Sequence, residues 1–462
     1  MEQKTILQQL AHFVAHLDFS DLPQEVVSKA NDAWFDLMGC YLAALNNTPN
    51  PKLIQYALAS NPLGEATLWG TGVKASLDAT VMTEGYIGYS LEFDDGVSLG
   101  GHWGSASIPV ALACTEISRG EGKNFLLSIV CAYEVGTRLS RRFAPHMLNH
   151  KIHFPCAMGA FAAAGAAAKA YGLDARTIAS GLANGCLSPI GPYGTAVSGE
   201  PIKNMYSGWP NLVGLKMIEF AKLGLGGDVD SFESDNGLAV AFRGEALTSA
   251  EEELALNDLG KRYSLMESYF KPYPCCRWLH APLALIQKIM REHPGKSIRT
   301  MTVSGPQFLH LYDTKGDFTK KVKAQYSIPF TLGAFACCGK LGIDEFESPT
   351  RTRKDIEKMA DSVRIVLDPS REQQFPSKFS VGLEVGFCDG SSAHAEGGLP
   401  WSPNSPATKQ ELMQKFTSLV SPFMSKIEVN SWLSLYQEGV EKEGNFGKLL
   451  LLLGKDHLQH RA

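Results

Sequence analysis

The sequence predicts a mainly helical protein with a smaller α+β domain inserted toward its C-terminal end. Apolar residues recur at three- and four-residue spacing from Met1 to about Gly260, as they do along one face of an α-helix. After Tyr263 several segments alternate apolar and polar residues, which is typical of strands. Helical spacing returns from Thr408 to Leu458. We expect this tail to pack on the first region, which makes the α+β part an insertion.

A chain of 462 residues exceeds what one hydrophobic core normally serves, so we expect two domains. Residues 1–265 and 400–462 form the predicted all-helical domain, and residues 266–399 form the α+β domain. The helices predicted in the first domain cover Gln24–Leu45, Ala79–Leu91, Ile108–Arg119, Asn124–Phe143, Cys156–Tyr171 and Asp174–Cys186. The strands predicted in the second cover Ser297–Ser304, Ser362–Leu367, Phe379–Phe387 and Ser391–Ala395, the last two joined by a hairpin turn at Asp389-Gly390.

Charge and hydropathy exclude several classes of function. The net charge of −5 provides no basic surface for nucleic acid. The most apolar run, Phe154–Ala170, contains nine alanines, two glycines and Lys169, which suits a closely packed helix better than a membrane span. The N-terminus lacks the pattern of a secretion signal. We therefore expect a cytoplasmic protein that binds neither nucleic acid nor membrane.

The cysteines and histidines do not form the patterns of a metal site. The ten cysteines include two adjacent pairs but no Cys-x-x-Cys spacing, so neither an iron–sulfur cluster nor a disulfide framework is predicted. Two His-x-x-x-His spacings lack the glutamate of a zinc helix. We interpret His146, His150 and His153 as loop and helix-capping residues, and we predict no metal.

The loop Ser90–Ser107 is the first half of a candidate site. It places Glu92, Asp94, Asp95 and His102 between two apolar segments, where rigid neighbouring helices can support accessible polar groups. The imidazole of His102 makes this residue a candidate acid or base. Asp94 or Asp95 is expected to orient its imidazole.

Pro201–Gly208 supplies Lys203 and Tyr206 in a turn-rich approach to a helix start, where backbone amides and one cation suit a carboxylate.

In Lys271–His280 two prolines hold the first half extended. Arg277 and His280 are three apart at the start of an apolar helix, so they share a face. The same segment contributes two cations, an imidazole and the phenol of Tyr273. Ala324–Cys338 reads as a proline-interrupted apolar helix, mostly core, with Tyr326 as its functional candidate.

These motifs resemble the MmgE/PrpD family along nearly the whole chain. The motifs are F-D-D with a following H-x-x-S at Phe93–Ser105, K-x-M-x-x-G at Lys203–Gly208, K-x-Y-P-C-C-x-x-x-H at Lys271–His280, Q-x-S-x-P at Gln325–Pro329 and D-G at Asp389. The family includes 2-methylcitrate dehydratase, cis-aconitate decarboxylase and iminodisuccinate epimerase. The resemblance implies a helical domain built from both chain ends, a homodimer, and a site at the domain junction that needs no cofactor.

The resemblance also implies that Glu92, His102, Lys203 and His280 shape the site. The chain departs from the family at several positions. Tyr206 stands where many relatives have histidine, and Trp209 and Pro210 replace a pair of alanines that often follows the glycine. Much of the family has the sequence H-P-S after the acidic motif, where this chain has Trp103 and Gly104 between the histidine and the serine. Phe330 stands where the decarboxylase branch has tyrosine. The missing hydroxyl at Phe330 argues against a simple decarboxylase.

The shared chemistry explains these residue types. Removing a proton next to a carboxylate builds dianionic character, which requires cations placed in advance and a base near its working pH. The predicted catalytic residues are His102, His280, Lys203, Asp94 and Tyr326, and the predicted substrate-binding residues are Glu92, Asp95, Lys271, Arg277, Tyr206 and Tyr273.

We expect elimination of water from a small hydroxylated di- or tricarboxylate. Decarboxylation of a cis-aconitate-like acid, epimerisation of an imino-diacid and an inactive scaffold are the alternatives. Which histidine is base and which is acid stays open.

Overall fold

Helices form most of the chain, as the sequence predicts. The structure is a computed structural model that describes residues 4–47, 49–60, 64–98, 100–149, 151–188, 191–197, 199–245, 247–248, 256–375 and 377–458. The helices before residue 250 are α1 Ile6–His16, α2 Gln24–Ala44, α3 Asn50–Ser60, α4 Leu77–Tyr89, α5 Ile108–Ile117, α6 Gly122–Asn149, α7 Phe154–Ala170, α8 Ala175–Asn184, α9 Tyr193–Val197, α10 Met205–Lys222 and α11 Leu238–Arg243.

Helices after residue 270 alternate with strands before the helical tail. They are α12 His280–Glu292, α13 Lys321–Gln325, α14 Ile328–Cys338, α15 Lys354–Asp361, α16 Pro369–Gln374, α17 Lys409–Val420, α18 Lys426–Glu438 and α19 Asn445–Leu453. The segment predicted as one interrupted helix from Ala324 is two helices, because Ser327 caps α14 by accepting from the amide of Phe330. Among the described residues, no helix is long and apolar enough to cross a bilayer.

The strands form one four-stranded sheet and two short pairs. The strands are β1 Ala66–Leu68, β2 Val73–Ala75, β3 Gly96–Val97, β4 Ser268–Tyr269, β5 Ile298–Gly305, β6 Val363–Leu367, β7 Val381–Phe387 and β8 Ser392–Gly397. The larger sheet has the order β6-β5-β7-β8, with β5 and β6 parallel and the other neighbours antiparallel. In its register Val303 pairs with Ile365 and Leu383. The mainly helical fold with a smaller α+β part is therefore confirmed.

Two hydrophobic cores divide the buried side chains. The larger core combines residues between Ile6 and Leu265 with residues of the tail from Phe416 to Leu453. Phe35 of α2 stacks on Phe416 and Tyr436 of the tail, with centroid distances of 4.5 and 4.0 Å. The smaller core contains residues 273–395. The tail thus packs on the first region, while the exact domain boundaries at residues 266 and 399 stay a prediction.

The crossing of α4 and α10 sets the position of the candidate site. A Cβ on Gly208 would lie 2.4 Å from the carbonyl oxygen of Met82, and a Cβ on Gly85 would lie 2.3 Å from the side-chain nitrogen of Asn211. Glycine at both positions lets the two backbones touch. Helix α4 ends just before the loop Ser90–Ser107, which we call the acidic loop, and α10 begins just after Lys203. This close crossing therefore brings Lys203 beside the acidic loop.

Gly208→Ala should destabilise the protein by roughly 1–3 kcal/mol, since the new methyl group meets a backbone oxygen that cannot rotate away. The measurement is the free energy of unfolding in urea. Gly447→Ala is the matched control, because a Cβ there meets nothing within 4 Å inside α19. We expect that control to be stabilising by up to about 1 kcal/mol through helix propensity. Equal effects of the two substitutions would contradict the close crossing.

Candidate active site

Glu92 is the centre of the candidate site. It is 2% exposed and has a left-handed backbone with φ of 55°, an uncommon conformation for a residue other than glycine. Its Oε2 forms an ion pair with Nζ of Lys203, and its Oε1 lies 3.1 Å from Nζ of Lys271. Lys271 also donates to the carbonyl of Glu92 at 3.0 Å. One carboxylate therefore joins two buried ammonium groups from distant parts of the chain.

The charges around Glu92 stabilise one another. Burial alone would raise the pKa of the Glu92 carboxyl, but Lys203, Lys271 and His102 outweigh burial and hold this pKa below its ordinary value. Burial likewise opposes charge on Lys271, and the carboxylates of Glu92 and Asp94 raise its pKa above the usual range. The ion pair of Glu92 with Lys271 therefore stays charged at neutral pH.

His102 presents one ring nitrogen as a base. Its Nδ1 lies 2.8 Å from the carbonyl oxygen of Asp95, and a carbonyl can only accept, so Nδ1 carries the proton and donates. When the ring is neutral, the other nitrogen, Nε2, therefore holds the lone pair. The side chain is 15% exposed, and the Tyr89 ring lies against it at 5.1 Å. This arrangement makes Nε2 available to a bound molecule.

Asp94 and Asp95 hold the acidic loop around His102. Asp95 accepts hydrogen bonds from the amide of Gly104 at 3.1 Å and from the hydroxyl of Tyr133. Burial is the main reason that the pKa of Asp95 is raised to about 7. Asp94 accepts from the hydroxyl of Ser105 at 2.7 Å and lies 3.5 Å from Nδ1 of His102. These contacts orient the imidazole and fix the loop.

Lys203 lies between two aromatic rings. Its ammonium is 4.1 Å from the ring centroid of Tyr89 and 5.2 Å from that of Tyr326. Both are distances at which the face of a ring attracts a cation. Burial raises the pKa of the Tyr326 hydroxyl well above its ordinary value, so it carries its proton at neutral pH. The structure thus brings a protonated phenol next to the lysine.

Arg277 provides a cation with free donors. Its Nη1 donates to the carbonyl of Pro400 at 2.7 Å, and its guanidinium lies 4.1 Å over the ring of Tyr269. Within the described part of the chain, Nε of Arg277 has no acceptor, and no carboxylate forms an ion pair with this side chain. Burial lowers the pKa of Arg277 to about 10, which still leaves it charged at neutral pH. The free Nε suits a carboxylate of a ligand.

His280 is fully buried at the start of α12. Its Nε2 donates to the carbonyl of Cys275 at 3.1 Å, while Nδ1 has no partner among the described atoms. Burial, together with Arg277 and Lys271, lowers the pKa of His280 well below its ordinary value. Tyr273 packs edge-on against this ring at 5.5 Å and donates to Gln287 at 3.0 Å. His280 is therefore a neutral ring with one free acceptor.

Gln325 ties the acidic loop to the segment before His280. The side-chain amide of Gln325 donates to the backbone carbonyls of Leu91 at 2.9 Å and Pro274 at 3.2 Å. Its backbone carbonyl accepts from the backbone amide of Cys276 at 2.9 Å. In the sequence, Gln325 stands out only as part of the Q-x-S-x-P motif. Its contacts show that it joins the two halves of the candidate site.

His153 is a functional candidate that the sequence analysis missed. It precedes α7, as expected, but its side chain makes no capping hydrogen bond. Its ring packs against Tyr206 at 4.6 Å, and Tyr206 donates its hydroxyl to the carbonyl of Pro192. Burial, with the charges of His102 and Lys203, lowers the pKa of His153 to about 3. Its sequence position predicted only a loop or helix-capping role, whereas its contact with Tyr206 and the effect of Lys203 on its pKa indicate a position near the site.

Phe330 lies in the smaller core. It is fully buried, with its ring 4.8 Å from that of Phe318 and 5.5 Å from that of Phe346. No contact described for its ring involves the acidic loop or Lys203. The expectation that a hydroxyl is missing from the site at this position is therefore not supported, and Phe330 gives no reason to exclude decarboxylation.

Comparison with known proteins supports the resemblance. The model of the MmgE/PrpD N-terminal domain matches residues 8–249, and that of the MmgE/PrpD C-terminal domain matches residues 273–435. The cis-aconitate decarboxylase-like protein oryM of Aspergillus oryzae is 23% identical over 97% of both chains. Cis-aconitate decarboxylase of Aspergillus terreus is 22% identical over 90% of this chain and 89% of its own. The Mus musculus enzyme of the same name is 19% identical over 95% of this chain and 91% of its own.

Glu92→Gln should lower the free energy of unfolding at pH 7 by about 3–5 kcal/mol, because it leaves two buried ammonium groups without their carboxylate. The pKa of Glu92 is lowered by folding, so its stabilising contribution is complete above the unfolded carboxyl pKa of about 4.3 and falls as the pH drops below it. The gap between wild type and variant should therefore narrow below about pH 4.3. The measurement is urea unfolding at several pH values.

Glu443→Gln is the control for this comparison, because Glu443 is an exposed glutamate of the tail. We expect its effect to stay within about 0.5 kcal/mol at every pH. A Glu92→Gln variant as stable as this control at pH 7 would contradict the buried ion pair.

Proposed function

Since the chain belongs to the MmgE/PrpD family, we propose that it is a cofactor-independent lyase of a small di- or tricarboxylic acid, and specifically a dehydratase. The observation that carries the proposal is the set of cations beside a free imidazole nitrogen. Lys203 and Lys271 share one carboxylate, Arg277 forms no ion pair with a carboxylate of the described residues, and Nε2 of His102 holds a lone pair when the ring is neutral. A small polyanion with an acidic C–H bond complements this set of groups.

In the proposed reaction, Nε2 of His102 removes a proton from the carbon next to a substrate carboxylate. The electron pair moves into that carboxylate and forms a dianion, which Lys203 and Arg277 stabilise. The pair then returns to form the alkene as the C–O bond to the neighbouring hydroxyl breaks. Tyr326 gives its proton to the leaving hydroxide, so water departs. The ammonium of Lys203 near the Tyr326 ring stabilises the phenolate that this step forms.

His102 is the better candidate for the base of the two predicted histidines. Its ring is partly exposed, whereas His280 is completely buried. Burial favours the neutral form of His280, so we assign its free Nδ1 the role of accepting a hydrogen bond from substrate. His153 is held neutral in the same way and is a second acceptor near Lys203.

Decarboxylation is the second candidate function, and the relatives favour it. The three relatives described above are named as cis-aconitate decarboxylases or as similar to them. The same cations would stabilise the carbanion that remains after carbon dioxide leaves, and protonated His102 would then give its proton to carbon. Nε2 of His102 holds a lone pair when the ring is neutral and favours a step that removes a proton, which is why dehydration stays our first proposal. Epimerisation of an imino-diacid would require proton carriers on both faces of one carbon.

A panel of acids tests the proposal. The purified protein is incubated with citrate, 2-methylcitrate, cis-aconitate and iminodisuccinate. A dehydratase increases the alkene absorbance with the hydroxy acids, a decarboxylase releases carbon dioxide from cis-aconitate, and an epimerase removes optical rotation from the imino-diacid. Failure to convert any of these acids would contradict a lyase of this class and would favour the inactive scaffold. A homodimer, which the family resemblance supports, and a cytoplasmic location are further parts of the proposal.

His102→Asn should lower kcat by about 10²–10⁴-fold with little change in KM. The amide nitrogen of asparagine can still donate to the carbonyl of Asp95, so the variant keeps the loop contact and removes the base. The measurement is steady-state kinetics on whichever acid the wild type converts. His310→Asn, at an exposed histidine, is the control and should retain wild-type kinetics. An active His102→Asn variant would disprove the assignment of the base.

Arg277→Met should raise KM by about 10–100-fold, because it removes a charge-assisted hydrogen bond to a substrate carboxylate. We expect a smaller effect for a monocarboxylate analogue, which has fewer groups to bind. Arg299→Met, at an exposed arginine of β5, is the control. An unchanged KM for the polycarboxylate would remove Arg277 from the binding site.

A further inference from the structure

Lys415 of α17 contacts the backbone of the acidic loop. Its ammonium donates to the carbonyl of Phe93 at 2.8 Å and to Oδ1 of Asp36 at 2.7 Å. It also lies 4.1 Å over the ring of Phe93. The side chain is only 4% exposed. The carbonyl that it holds belongs to the residue directly after Glu92.

The position of Lys415 is set by tight packing of α17 on α2. Its neighbour Phe416 stacks on Phe35, and a Cβ on Gly39 would lie 3.1 Å from the ring of Phe416. Glycine at position 39 therefore allows the two helices to approach closely. Lys415 is thus carried to the loop by a rigid contact between the tail and the first region.

Stability alone does not explain this lysine. A buried ion pair loses the hydration of both charges, and apolar residues of similar size often stabilise a protein as well or better. Asp36 shows this cost, because burial raises its pKa even beside Lys415, and its Oδ2 has no donor among the described atoms. Besides its ion pair with Asp36, the ammonium of Lys415 donates a hydrogen bond to the carbonyl of Phe93.

We propose that Lys415 is a positioning residue for Glu92. The left-handed turn at Glu92 is unfavourable for a residue with a side chain and persists only where its surroundings hold it. Lys271 holds the carbonyl of Glu92, and Lys415 holds the next one, that of Phe93. Together they aim the carboxylate at Lys203 and Lys271. This inference rests on the proposed function for its kinetic test, whereas its structural test is independent of activity.

The experiment compares Asp36→Asn with the double variant Asp36→Asn, Lys415→Met. The single variant keeps the donor to the carbonyl of Phe93 and should retain kcat/KM within about threefold, as expected for a site outside the chemistry. The double variant contains no isolated buried charge but leaves that carbonyl without its donor. We expect it to lose about 100-fold in kcat/KM, because a displaced Glu92 also shifts Lys203, and a misplacement of about 1 Å in a site can cost that much. Asp36→Asn with Lys409→Met, an exposed lysine on the same helix, is the control.

A double-mutant cycle with Glu92→Gln separates positioning from general stability. If Lys415 acts through Glu92, then adding Lys415→Met to Asp36→Asn should change kcat/KM by less than about twofold once Glu92 is already glutamine. A purely structural role would give the same loss in both backgrounds, and that result would overturn the proposal.

A crystal structure of the double variant tests the proposal without turnover. We expect φ of Glu92 to leave the positive region and its carboxylate to separate from Lys203. If the turn at Glu92 and its ion pairs with Lys203 and Lys271 are unchanged in the double variant, the proposal fails, whether or not the wild-type protein is an active enzyme. If the wild type converts none of the acids while the turn relaxes in the variant, the proposed function fails and the positioning role stands.

Discussion

The candidate site depends on one buried carboxylate between two buried ammonium groups. Lys203 follows Glu92 by more than a hundred residues, and Lys271 follows Lys203 by nearly seventy. Each of these charged groups would lose its hydration at high cost if it were buried alone. Their joint burial is favourable only when the geometry satisfies all three. The ion pairs therefore require the loop, the start of α10 and the segment before α12 to meet at one point. The backbone of the loop strengthens this requirement, because its carbonyls also accept hydrogen bonds from the distant side chains of Lys271, Gln325 and Lys415.

The charge balance at this point explains how the site could act on a polyanion. Glu92 offsets part of the charge of the two lysines, which lets the protein fold before any ligand is present. Arg277 keeps unused donors, and Tyr326 keeps its proton beside a cation. A substrate carboxylate would thus enter a region that is already positive and ordered. Such preorganisation lowers the energy of a developing dianion without reorganising water during the reaction.

Much of the fold could be predicted from the sequence, because its elements follow from local periodicity. Helix α2 was predicted from Gln24 and begins there, and the hairpin of β7 and β8 was predicted from Asp389-Gly390. The site residues in short, unusual contexts were also identified. Lys203 stands among glycines and prolines, and Lys271 precedes Tyr-Pro-Cys-Cys. Local composition marks such residues because turns and interrupted helices expose functional groups at defined positions.

The remaining site residues could not be predicted, because their roles arise from contacts between distant elements. Lys415 lies in an ordinary amphipathic helix, and only the packing of α17 on α2 brings it to the carbonyl of Phe93. Gln325 acts through backbone groups, whose unpaired state is invisible in a sequence. His153 was predicted as a loop or helix-capping residue, and its contact with Tyr206 depends on where α7 begins. The left-handed turn at Glu92 could not be predicted either, because the residue there is not the glycine that usually marks such a turn.

The most direct test is a crystal structure of the wild-type protein with propane-1,2,3-tricarboxylate, a saturated acid that cannot eliminate water. We predict one carboxylate within hydrogen-bond distance of Lys203 or Arg277, an adjacent carbon facing Nε2 of His102, and Glu92 still bridging its two lysines. A ligand bound away from these groups, or a structure in which Glu92 is not joined to Lys203 and Lys271, would contradict the account.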